Sequence, residues 1–132
     1  SFPKPKHKKV KYSKKEADTL FSLIIRSRGV CQAKGLDQIQ CAGYHQCCHI
    51  VGRGCYNLRY DEKNALCMCA GHHIFYTNHP WEWSHDFIPK FFSDQYHYVN
   101  KFRFIYKKNI YKELIPLLKD RLLSLQGQQK LI

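Results

Sequence analysis

The sequence is poor in acid, in long apolar runs and, after residue 69, in cysteine. Lys and Arg total 22 against 10 Asp and Glu, giving a formal charge of +12 and a pI near 9.5. That excludes an acidic disordered chain and favours a polyanionic partner. No apolar run approaches the about 20 residues that a membrane helix needs, so no membrane partner is expected. The first residues have no apolar core of a secretory signal, and none is expected. At 132 residues there is room for one domain of ordinary size.

The seven cysteines stand at 31, 41, 47, 48, 55, 67 and 69. An odd number leaves one thiol over in a closed disulfide framework. Five of the eight histidines (His45, His49, His72, His73, His79) lie among or just after them. Clustered Cys and His in a basic chain point to metal before disulfides. A secreted disulfide-bonded basic protein is the competing reading. Cys55 is expected to be a small buried core residue.

Residues 1–15 hold seven Lys, two Pro and no acid, and read as a mobile basic arm. Ser13 and Glu16 have capping-box spacing, with Glu16 reaching back, and predict a helix over about residues 14–28. Ala17, Leu20, Phe21, Ile24 and Ile25 form its apolar stripe. Arg26 and Arg28 fall in its last turn and Gly29 ends it. Short strands are expected near 46–51 and 65–68, and a helix from about His72 to before Pro80. The aromatics of 81–111 suit core packing before base stacking. KFRFIYK alternates like a strand, yet Ser93–Phe104 also reads as a helix. Leu114, Leu117, Leu118, Leu122 and Leu125 mark a last helix over about 111–126, with Pro116 in its first turn or kinking it.

The informative stretch is QCCHIVGRGCYNLRYDEKNALCMCAGHH, residues 46–73. His49, Asn64 and His73 occur in the spacing His-x14-Asn-x8-His, with a C-x-x-H step (Cys69 to His72) before the last His. With LRYDEKN, the upstream LFSLIIRSRG and the downstream TNHPWEW, this resembles the HNH (ββα-metal) endonucleases, and among them the phage NinG-like recombination proteins. The resemblance covers about residues 17–85. It implies an α+β fold: a small zinc-stapled ββα-metal core over 16–90 with its preceding helix, then an aromatic-rich, mostly helical extension over 91–132 packed on that core.

The resemblance also implies a metal-dependent DNA endonuclease leaving a 3′ hydroxyl and a 5′ phosphate, nicking one strand at a time. His49 would be the general base, since an imidazole titrates near neutrality. Asn64 would orient His49 or fix the loop that carries it. His73 would hold the catalytic divalent ion (Mg²⁺, Mn²⁺ or Zn²⁺), and Arg53 would neutralise the phosphate. Many members carry Asp or His before the base, where this chain has Cys48, a soft ligand that suits zinc before Mg²⁺. Cys48 and His79 are the further candidate ligands of that ion. Two Cys knuckles are common in such proteins. Here Lys34 replaces the second Cys of the first knuckle, so the structural zinc set is expected to be Cys31, Cys41, Cys69 and His72, with Cys47 and Cys67 in reserve. DNA, double-stranded or branched, would meet Arg26, Arg28, Arg53, Arg59, Lys8, Lys9 and Lys11. A phage-encoded protein acting in the host cytoplasm follows from the same resemblance. A non-catalytic zinc module that binds DNA or a protein is the alternative.

Overall fold

A computed structural model describes Pro3 and residues 11–130, with Lys130 described by its backbone alone. Lys8, Lys9 and most of the basic arm lie outside the described residues. The fold is α+β. Helix α1 (Lys14–Arg26) precedes an antiparallel pair, β1 (His45–His49) and β2 (Ala65–Cys69), and α2 (Ala70–Asn78) follows β2 without a break. A short 3₁₀ turn, Glu62–Asn64, leads into β2. Beyond α2 come α3 (Pro80–Glu82), a π-helical turn Trp83–Phe87, α4 (Ile88–Phe91), α5 (Ser93–Phe102) and α6 (Tyr111–Lys130). No helix among the described residues is long and apolar enough to cross a membrane.

A two-stranded hairpin is marginal alone and needs a cover. This one has a cover on each face. Register pairs His45 with Cys69, Cys47 with Cys67 and His49 with Ala65. Side chains alternate across the pleat. Cys47, Ala65 and Cys67 meet Phe21, Ile24 and Ile25 of α1, with Ile115 and Leu118 of α6 behind them. Cys48, Leu66 and Met68 meet Tyr76, Phe87, Ile88 and Val99 on the other side. Burying side chains such as Phe21, Ile24 and Ile25 contributes about 1.5–3 kcal/mol each.

The α1 prediction holds in its stripe and its cap. Ser13 Oγ accepts from the Glu16 N–H at 3.1 Å. The reciprocal arm differs, because Glu16 faces Lys119 of α6 at 3.3 Å instead. The helix stops at Arg26, so Arg28 lies beyond its last turn. There its guanidinium donates to the carbonyls of Glu62 and Ala65 at 2.9 and 2.8 Å, clamping the start of β2. α2 begins at Ala70, two residues before the expected start. Residues 93–102 are helical and the following RFIYKKNI is irregular, which resolves the helix-or-strand ambiguity of that segment. Pro116 sits inside α6, as its sixth residue.

Candidate metal centre and histidine cleft

Two sites flank the hairpin. The first lies where the loop before β1 presses on the start of α2. Gly43 makes this approach possible: its φ is +80°, and a Cβ there would stand 2.8 Å from that of Ala70. The loop carbonyls of Ala42 and Tyr44 accept the N–H groups of Gly71 and Ala70 at 2.9 and 2.8 Å. These bonds fix Cys41 beside Cys31, Cys69 and His72, whose ligand atoms all lie within 4.8 Å of one another.

The geometry fits a tetrahedral Cys₃His ion. His72 Nδ1 stands 3.7, 3.7 and 3.1 Å from the sulfurs of Cys31, Cys41 and Cys69. Zinc bond lengths predict a ligand-to-ligand edge of about 3.6 Å. The outer partners fit as well. His72 Nε2 donates to Asp37 Oδ1 at 2.9 Å, which turns the Nδ1 lone pair toward the three sulfurs. Tyr76 donates to the other Asp37 oxygen at 2.6 Å, and the Ile39 N–H to the first at 3.1 Å. The N–H groups of Ala42 and His72 both point at Cys69 Sγ, at 3.4 Å. Although burial raises the Cys69 thiol, these donors, the His72 ring and Cys31 pull it down to about 6. This is the zinc set expected from the sequence. Cys47 and Cys67 face α1 instead and take no part.

The second site is a cleft. His49 ends β1 and His73 sits in the first turns of α2. Both line two adjoining cavities of about 230 and 240 Å³. The larger is walled also by Asp18, Ser22, Arg26, Gln46 and Arg53. Cys48, Met68, Tyr76 and Trp83 wall the smaller.

Each ring is held by an acceptor that fixes its tautomer. His49 Nε2 is 2.8 Å from the Arg59 carbonyl. A carbonyl only accepts, so Nε2 carries the proton and Nδ1 keeps its lone pair. The His49 ring also stacks on Phe21 at 5.5 Å between centroids. His73 Nδ1 donates to Gln46 Oε1 at 2.6 Å, which leaves Nε2 as the free acceptor. Burial lowers the pKa of both rings, and the Arg53 charge adds to it. For His49 the bond to the Arg59 carbonyl opposes this shift without reversing it. Both shifts favour the neutral imidazole.

Asn64 is fully buried and holds the loop between the strands. Its Oδ1 accepts from the Val51 N–H at 2.9 Å. Its Nδ2 donates to the carbonyls of Val51 and Leu58 at 3.1 and 3.0 Å. Of the two roles read from the sequence, Asn64 therefore has the loop-fixing one.

Three sequence expectations are corrected. Arg59 is no DNA contact: it is only 6% exposed, and its guanidinium grips Asp18 at 3.0 and 2.7 Å. Arg28 is occupied by the β2 clamp described above. His79 lines neither cavity of the cleft; its Nδ1 donates to the Phe75 carbonyl at 2.7 Å and its ring stacks on Phe75. Cys48 does line the smaller cavity, from a buried position in which burial pushes its thiol up. Cys55 is half-buried, and its thiol donates to the Arg103 carbonyl at 3.1 Å. Arg26, Arg53 and Lys11 are exposed, the two arginines at the cleft.

Sequence reasoning missed Asp18, Asp37 and Gln46. Asp18 also accepts from Tyr60 at 2.9 Å. Burial raises its carboxyl, but the bonds from Arg59 and Tyr60 and the Arg59 charge outweigh this and lower it. One signal was available: Asp18 lies three and seven residues before Phe21 and Ile25, a charge on the edge of the apolar stripe. Asp37 and Gln46 carry no such local mark. Compared with known proteins, the chain matches no family model, no curated protein and no solved structure.

Proposed function

We propose that the protein is a metal-dependent DNA endonuclease of the HNH type, with His49 as general base. The observation that carries this reading is the histidine cleft. Two imidazoles, each with one nitrogen locked by an acceptor and the other free, share a cavity with two exposed arginines. The strand–strand–helix order around them and the His49, Asn64, His73 spacing agree with it.

His49 Nδ1 accepts the proton of the attacking water while the Arg59 carbonyl stabilises the imidazolium that forms at Nε2. Arg53 and Arg26 offset the charge gathering on the phosphate. Asn64 and the Asp18–Arg59 pair keep the loop, and through it His49, in place. His73 Nε2 is the nitrogen that would hold the divalent ion, and that ion supplies charge relief on the phosphate and the leaving 3′ oxygen. The Cys₃His centre, at the N-terminal end of α2, serves the fold.

The test is plasmid nicking with Mg²⁺ or Mn²⁺. The wild-type protein nicks, leaving 5′-phosphate ends, and His49→Ala loses at least about 100-fold of the rate. Tight DNA binding without cleavage under any divalent ion would overturn the nuclease reading in favour of a non-catalytic zinc module.

A further inference from the structure

One surface is absorbed by neither site. Between α5 and α6 the chain runs RFIYKKNI, residues 103–110, without regular structure. Its backbone is nevertheless pinned. Asn57 Nδ2 donates to the Phe102 carbonyl at 2.6 Å, Cys55 to the Arg103 carbonyl at 3.1 Å, and Asn109 Nδ2 to the Tyr56 carbonyl at 2.8 Å. The side chains on this strap face water: Phe104 is 87% exposed and Tyr106 is 77% exposed. Most other aromatics of the C-terminal third pack on the core, so these two stand apart.

Beside the strap lies a groove of about 300 Å³ lined by Lys14, Tyr56, Tyr106, Lys108, Asn109 and Tyr111. It has two ammonium groups, three phenol rings and no carboxylate. Tyr56 and Tyr106 meet edge to face at 6.3 Å, and Lys14 Nζ stands 5.7 Å from the Tyr56 ring centre. Arg103 lies 5.4 Å from the Phe104 ring. Exposed rings on an ordered backbone, interleaved with cations, fit a strand whose bases are free to stack and whose phosphates need counter-charge. A duplex offers the phosphates but hides the base faces. A chain of packed rings links the groove to the cleft. Tyr111 touches Tyr60, Tyr60 touches Phe21, and Phe21 stacks on His49, at 6.1, 5.9 and 5.5 Å between ring centres.

We propose that the 103–110 strap and the Lys14–Tyr56–Tyr111 groove form a docking site for single-stranded DNA, stacking unpaired bases on Tyr106 and Phe104 and holding phosphates with Lys14 and Lys108. The choice of DNA rests on the function proposed above; the demand for unpaired bases rests on the strap itself.

The experiment is fluorescence anisotropy with a labelled 20-nucleotide oligo(dT), and with a duplex of equal length. It uses the full chain carrying His49→Ala, so that binding is read without cleavage. Adding Phe104→Ala and Tyr106→Ala removes exposed rings only, and circular dichroism melts check the fold. Affinity for oligo(dT) falls at least tenfold while that for the duplex changes less than twofold. Lys14→Gln with Lys108→Gln lowers the oligo(dT) salt slope by about 1.4. Equal losses on both DNAs, or none, would overturn the proposal. So would sedimentation showing a dimer that the ring substitutions dissolve, since the strap would then be a contact between copies. Oligo(dT) binding is read whether or not the wild-type protein cuts plasmid, so each reading can fail alone.

Discussion

Replacing Asn64 by alanine removes more than one contact. The Val51 N–H would lose its acceptor, and the carbonyls of Val51 and Leu58 would each lose a donor. The site is fully buried, so water cannot replace them without opening the loop. A buried polar group left unpaired costs about 1–3 kcal/mol. The Leu58 carbonyl keeps the Asp61 N–H at 3.2 Å, so two groups are left unpaired, and they give about 2–6 kcal/mol, a large part of the about 5–15 kcal/mol that domains possess. For a chain of this length that is a fall in Tm of about 8–25 °C. Calorimetry on the zinc-loaded protein measures it. Asn64→Asp keeps the acceptor for Val51 but sets a carboxylate against two carbonyls, and it melts low as well. If Asn64→Ala melts within about 2 °C of wild type, the loop is held by something else, and the role given to Asn64 is wrong.

Other consequences follow from the same geometry. Cys69→Ser removes the sulfur that takes both backbone N–H bonds, so bound zinc drops from one per chain toward none and the melt falls with it; elemental analysis showing one retained zinc would remove Cys69 from the ligand set. Asp18→Asn strips the counter-charge from buried Arg59 and costs about 3 kcal/mol, which a urea titration reads as a lower midpoint at constant m. On the proposed mechanism His49 acts in its neutral form, so cleavage is expected to persist below the ordinary imidazole range and to be lost as pH falls through its depressed pKa. Arg53→Ala lifts part of that depression, so the acid limb of the pH–rate profile moves to higher pH, whatever happens to the plateau. A limb that stays in place would separate Arg53 from the titration of His49.

The parts of this fold that the sequence disclosed are those with local signals. Ser13 caps α1 because its hydroxyl meets an N–H three residues on. The Cys69-x-x-His72 step is readable because both ligands lie on one turn, and Cys41 came from the resemblance, as the stand-in for the second Cys that Lys34 replaces. The cleft histidines were marked by their spacing around Asn64. What stayed hidden depends on partners far along the chain. Arg59 reads as a surface cation until Asp18, 41 residues earlier, is seen to hold it. Gln46 has nothing to mark it before α2 swings His73 alongside. Asp37 sits in the irregular segment between α1 and β1, and only the fold brings it to His72. The irregular strap after α5 was hidden for another reason: its alternation suits a strand, but among the described residues the sheet pairs β1 with β2 alone.

The most direct measurement is chemical rescue of the missing base. His49→Ala is assayed on supercoiled plasmid with Mn²⁺ while free imidazole is titrated in. The rate should start at least about 100-fold below wild type and climb in proportion to imidazole. A His49→Ala protein that cuts as fast as wild type, with no response to imidazole, would contradict the account.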